Sequence, residues 1–247
     1  MNDIEICIDG DNQEHLFNNI NKVYQAGAQR IELCSAMSED GLTPSIESIK
    51  LARQAFKRCG LMVMIRPRIG DFCYNAQEVE RMIEQIKCAA QFGADGVVFG
   101  VLDESGEKFN VEAMQKLILL SKTFGLEVGI HRAFDAVIDK KSALLQLIGL
   151  SVDRVLTSGS QWGAASDAIS GMENLKSFAS VAGNEIELVI AGGVSPENAN
   201  TILTGFSEMK VHVSLHAYSS VLHDGVISHE RVKALVNTTP EHKIVTR

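Results

Sequence analysis

The sequence predicts an α/β fold of the (β/α)8 TIM-barrel type, and three observations carry that prediction. Short β-branched runs alternate with longer amphipathic stretches from end to end. The eight runs begin roughly 23 to 35 residues apart, the length of a strand, a helix and two short connections. No linker, low-complexity tract or change of composition divides residues 1–247. That suits a single closed-barrel domain better than an open doubly wound sheet.

The first run, Ile4–Ile8, sets the pattern. Side chains alternate across a strand, so with Ile4, Ile6 and Ile8 toward the helices, Glu5, Cys7 and Asp9 face the barrel interior. The second, Arg30–Leu33, turns Ile31 and Leu33 outward and Glu32 and Cys34 inward. The third, Leu61–Ile65, places Met62, Met64, Arg66 and then Arg68 inside. Gly96–Phe99 is the fourth, and Glu127–Ile130 the fifth, with Glu127, Gly129 and His131 inward. Arg154–Leu156 and Glu187–Ile190 follow. In the eighth, Lys210–Val213, His212 and Ser214 face inward if Val211 and Val213 face the helices. Helical spacing fills the intervals, as in Glu78–Ile86, and Thr43-Pro44-Ser45 and Ser195-Pro196-Glu197 read as helix starts. After the eighth strand only Glu230–Val236 has helical spacing, so 215–247 is expected to be an atypical segment with an incomplete final helix.

A net charge of −8 and a pI near 5.4 give no basic face for nucleic acid or an anionic membrane. No apolar run approaches the roughly 20 residues of a membrane span, and the strand-like start leaves no room for a signal peptide. Five cysteines without a close CxxC pair suit neither a disulfide framework nor a zinc finger. The expected compartment is reducing cytoplasm, with thiols free unless metal-bound. Cys59 and Cys88 fall in helical segments, and Cys73 lies in a loop that approaches the site from above.

A barrel interior is normally filled with branched apolar side chains. Glutamates, thiols, arginines and histidine inside it are costly unless paired. A Glu–Arg network that merely plugs the barrel is one explanation. Arg66, Arg68, His131 and Cys34, however, lie at strand C-termini, where barrel active sites form. Cys7 and Cys34, inward on neighbouring strands, offer either two small buried hydrophobes or a soft-metal pair. Gly192-Gly193-Val194-Ser195 follows the seventh strand, where backbone N–H groups can meet an anion and Ser195 can cap a helix. Ser158 and Gly159, ending the sixth strand, suit hydrogen bonding to a ligand.

These strand ends resemble the CutC copper-homeostasis family. The matching stretches are Glu5-Ile6-Cys7, Arg30-Ile31-Glu32-Leu33-Cys34, Gly41-Leu42-Thr43-Pro44-Ser45, Arg66-Pro67-Arg68-Ile69-Gly70-Asp71-Phe72-Cys73-Tyr74, His131-Arg132-Ala133-Phe134-Asp135 and Arg154-Val155-Leu156-Thr157-Ser158-Gly159. The resemblance implies a cytoplasmic (β/α)8 barrel, a homodimer or higher homo-oligomer, and copper handling. Its implied Cu(I) ligands are one cysteine on each of the first two strands, here Cys7 and Cys34. Ile69 departs from the family's usual glycine, and the C-terminal segment is shorter than usual.

Two functions stand against each other at this point. One is Cu(I) binding in copper homeostasis, through the two barrel cysteines. The other is a lyase- or isomerase-like enzyme on a small anionic or phosphorylated substrate. There Arg66, Arg68, Asp71, Ser158, Gly159, Gly192 and Gly193 form the anion site, Glu32 or Glu5 is the base and His131 the acid. A purely structural module fits least, since it has no need of convergent buried charges.

Overall fold

Outward-facing branched apolar residues bind the strands to the helices. Ile4, Ile6, Ile8, Ile31, Leu33, Val63 and Ile65 belong to one continuous core shared with Leu16, Ile20 and Val23 of the first helix. The computed structural model describes residues 3–165 and 167–238. Its strands are β1 (Ile4–Asp9), β2 (Arg30–Cys34), β3 (Leu61–Met64), β4 (Gly96–Phe99), β5 (Glu127–Ile130), β6 (Arg154–Thr157), β7 (Glu187–Ile190) and β8 (Val213–Ala217). All pair in parallel in sequence order, and β8 closes on β1, giving the (β/α)8 barrel.

Around it lie α1 (Gln13–Ala26), α2 (Ile46–Ala55), α3 (Ala76–Gln91), α4 (Val111–Thr123), α5 (Ala133–Ala136), α6 (Lys140–Gly149), α7 (Met172–Ala182), α8 (Ala199–Thr204) and α9 (His229–Val236). Their starts follow from local chemistry. Ser45 accepts the Ser48 N–H to cap α2, and Asn75 with Glu78 forms a reciprocal capping box on α3. Ser195 does not cap a helix: α8 begins later, after Asn198, and the Ser195 hydroxyl takes the Glu197 N–H within a turn.

The C-terminal segment is more complete than expected. The strands β9 (Leu222–His223) and β10 (Val226–Ile227) form a small antiparallel pair, and α9 then packs on α1. Lys22 Nζ donates to the Ile227 carbonyl at 3.0 Å, and Val232 and Leu235 are buried. A short final helix therefore exists; residues 239–247 lie outside the described residues.

Inside the barrel the side chains stack by height. The floor, at the N-terminal end, is ionic. Arg30 Nε donates to Glu5 at 3.2 Å, its Nη1 to Asp3 at 2.8 Å and its Nη2 to Ser214 at 2.8 Å, and it also pairs with Glu187. Arg154 pairs with Glu5 and with Glu127. A Glu–Arg plug is present, but Arg30 and Arg154 build it, not Arg66 and Arg68. Above the plug the barrel opens into a cavity.

Candidate functional site

The cavity lies at the C-terminal end of the barrel and has a volume of about 240 Å³. Cys7 from β1, Glu32 and Cys34 from β2, His216 from β8, and Arg66, His131, Gly192 and Gly193 just past the ends of β3, β5 and β7 all line it. Seven of these eight are positions that alternation and strand-end reasoning had singled out. His216 is the exception.

One wall is sulfur. Register sets Cys7 level with Glu32, and Cys34 level with Asp9, so the two cysteines are staggered by one step of the pleat. Their sulfurs nevertheless lie 3.8 Å apart. Met37 enters from the loop after β2, where Ala36 adopts a left-handed φ of 47°, and brings Sδ to 3.6 Å from Cys7 Sγ. Met64 and Tyr218 pack against the group. The two thiols share their proton unequally. A hydrogen bond from Cys34, and His216 beside it, hold the Cys7 thiol below its ordinary range despite burial. Donating that bond, together with burial, pushes Cys34 well above its own.

His216 couples this wall to Glu32: Nε2 meets Oε2 at 2.8 Å. Burial works against an imidazolium there, but Glu32 and Cys7 prevail and raise its pKa well above the ordinary value. Two sets of potential metal donors overlap at this point, Cys7–Glu32–Cys34 and Glu5–Glu32–His216, each with donor atoms within 4.8 Å of one another. The first is rich in sulfur; in the second, Glu5 is already engaged by Arg30 and Arg154.

The facing wall is polar. His131 Nδ1 accepts the Ala133 N–H at 3.1 Å, and the ring lies 4.8 Å from that of Phe72. Burial, then the Arg66 charge, lowers its pKa to about 3, so the ring is neutral. Arg66 sits above Phe72 and gives its terminal nitrogens to the carbonyls of Glu39, Gly41 and Gly70.

The other expected residues lie elsewhere. Glu5 belongs to the floor plug. Arg68 does not enter the cavity; beyond Pro67 the chain has left the strand, period-two alternation ends, and Arg68 turns to Glu78, Asp71 and the Cys73 carbonyl. Asp71 is exposed on that loop, and Ile69, also exposed, has no positive φ that would call for a glycine. Ser158 is held by Asp135 and Arg132, tying β6 to the turn after β5. His212 is exposed ahead of β8, while Ser214 is inside as expected. Cys73 is not among the residues lining the cavity, Cys88 is on α3, and Cys59 is in an exposed turn, not a helix.

Gly159 is required by packing. Its φ is +75°, and a Cβ there would lie 2.4 Å from the Gly171 carbonyl oxygen. Gly159→Ala is expected to destabilise the protein by about 2–3 kcal/mol, read as a drop in urea midpoint at unchanged slope.

Alternation along β8 was correct in phase but misplaced in extent, which hid His216. The signal was present: Val213, Leu215 and Ala217 continue the apolar face, leaving Ser214 and His216 on the other. Met37 and Arg132 stand outside any strand pattern and had no such signal.

Known proteins match this chain in sequence and fold. The sequence model of the CutC family matches residues 2–217. The human copper homeostasis protein cutC homolog is 38% identical over 211 residues, covering 85% of this chain and 72% of that one. A CutC family protein of Pasteurella multocida is 37% identical over 215 residues, covering 87% of this chain and 82% of the relative. The crystal structure of CutC from Streptococcus agalactiae aligns with a TM-score of 0.74 at 31% identity, covering 87% of this chain and 98% of that one. A 3-keto-L-gulonate-6-phosphate decarboxylase from Vibrio cholerae shares the fold alone, at 13% identity and a TM-score of 0.63. Profile, relatives and superposition agree, and the chain belongs to the CutC copper homeostasis family.

Proposed function

We propose that this protein binds Cu(I) at the mouth of its barrel, through Cys7 and Cys34 with Met37 as a third donor, and that it acts in copper homeostasis. The observation that carries this reading is the sulfur cluster: Cys7 Sγ has Cys34 Sγ at 3.8 Å and Met37 Sδ at 3.6 Å. Thiolate and thioether donors select Cu(I) over the harder divalent ions. The site is buried, so a bound ion is shielded from water, and His216 neutralises the adjacent Glu32 charge. The lowered Cys7 pKa supplies one thiolate readily; the second proton leaves Cys34 only when the metal replaces it.

The test is an anaerobic Cu(I) titration against a competing chelator. Wild type is expected to take one ion per chain. The Cys7→Ser/Cys34→Ser double variant should bind at least about tenfold more weakly, since even groups that only support metal ligands typically cost about 10–100-fold. Met37→Leu should give a smaller loss. Equal affinity in wild type and the double variant would sink the copper reading.

A further inference from the structure

The sulfur wall leaves the opposite side of the cavity unexplained. Three buried side chains lining the cavity each have an atom with no partner among the described residues: Arg66 Nε and His131 Nε2 on that side, and Glu32 Oε1 beside the sulfurs. Arg66 and His131 are each 3% exposed and Glu32 is 2% exposed, so water does not freely satisfy them. Buried polar atoms are paired in the great majority of cases, and several orphans lining one cavity call for a ligand.

Their chemistry says which ligand. Arg66 is a buried cation without an ion pair among the described residues; its terminal nitrogens bond the neutral carbonyls of Glu39, Gly41 and Gly70. A buried charge left without a counter-ion is costly, so an anion is the natural complement. His131 adds a neutral donor. Its Nδ1 is occupied as an acceptor by the Ala133 N–H, which places the proton on Nε2. Glu32 Oε1 is the opposite case, an acceptor, since Oε2 is taken by His216. Gly192 and Gly193, with φ of +94° and +68°, line the same cavity, and no described residue accepts their N–H groups.

We propose that the cavity, between this wall and Glu32, is a binding site for a small organic hydroxy acid, a carboxylate or phosphate monoester carrying a hydroxyl on a neighbouring carbon. The oxyanion takes Arg66 Nε–H, His131 Nε2–H and the glycine N–H groups, and the hydroxyl donates to Glu32 Oε1. A bare oxyanion satisfies the donors but leaves Glu32 Oε1 without a donor. At about 240 Å³ the cavity is smaller than those that hold drug-sized ligands, which limits the occupant to a few carbons.

The test is NMR of the histidine ring nitrogens, with His131 assigned by its loss in His131→Asn. The probes are glycolate and glycerol 3-phosphate, against acetate and ethyl phosphate, at about pH 8 where both phosphate esters are dianions without an acidic O–H. At least one hydroxylated probe should shift the His131 signals at millimolar concentration and bind about tenfold tighter than its bare counterpart, because an unmatched buried carboxylate is left behind otherwise. Which of the two binds tighter tells carboxylate from phosphate. His131→Asn should weaken binding about tenfold, measured by calorimetry. Ala191→Leu, which adds a larger side chain to the cavity lining, should abolish it. Cu(I) titration of His131→Asn should match wild type within about twofold, since the sulfurs lie on the other wall, so that loss of copper binding and loss of this site are read separately. Absence of any His131 shift with all four probes, equal binding of hydroxylated and bare anions, or undiminished binding in Ala191→Leu would each overturn the proposal.

Discussion

Arg30→Met is expected to lower the unfolding free energy by about 3–5 kcal/mol at pH 7, the range for removing one partner from a buried ionic group. Arg30 is 7% exposed and holds Glu5, Asp3, Glu187 and the Ser214 hydroxyl from one guanidinium. Burial opposes its charge, but the surrounding carboxylates prevail and raise its pKa, while Arg30 and Arg154 lower that of Glu187 despite burial. Methionine fills much of the same space and removes the cation, leaving Arg154 alone against four carboxylates. The sign with pH follows. Glu187 has a depressed folded pKa, so its stabilisation is complete above the ordinary carboxylate range and is lost as pH falls from there through the lower folded value. The penalty of Arg30→Met should therefore shrink toward pH 4, where the stranded carboxylates take up protons. Urea unfolding of both proteins at pH 7 and pH 4 measures it; a penalty below about 1 kcal/mol at pH 7, the level of an exposed pair, would show that the plug is solvated.

The contrast between floor and cavity explains how far the sequence could be read. Alternation identifies the side of a strand, and it correctly turned Glu5, Cys7, Glu32, Cys34 and His131 into the barrel. It carries no information about height along the barrel axis. Glu5 and Glu32 are therefore indistinguishable by pattern, although one is locked in the plug and the other has an oxygen free in the cavity. Stagger between strands is equally invisible: the two cysteines are not level, and only side-chain reach brings their sulfurs together. Past the strand ends alternation stops applying, which is why Arg68 was expected inside and lies on a loop. Met37 owes its place to a left-handed turn at Ala36, a conformation that alanine does not advertise.

The acid limb of stability should belong largely to His131. Its folded pKa is about 3, against an ordinary 6.5, because the ring is buried against Phe72 beside the Arg66 charge. A depressed histidine pKa means that the folded state resists a proton the unfolded chain accepts. The resulting stability is complete above about pH 6.5 and is lost as pH falls toward 3, at about 1.4 kcal/mol per pH unit. Between pH 7 and pH 4 wild type should lose about 3 kcal/mol more than His131→Gln, which cannot titrate. Unfolding free energies of the two proteins at several pH values isolate the difference, since their other groups cancel to first order. A difference that does not change with pH would mean that the ring is protonated or solvated in the folded protein. Its Nε2 would then not be the fixed neutral donor on which hydroxy-acid recognition depends, while the sulfur wall, served by Cys7, Cys34 and Met37, would be untouched.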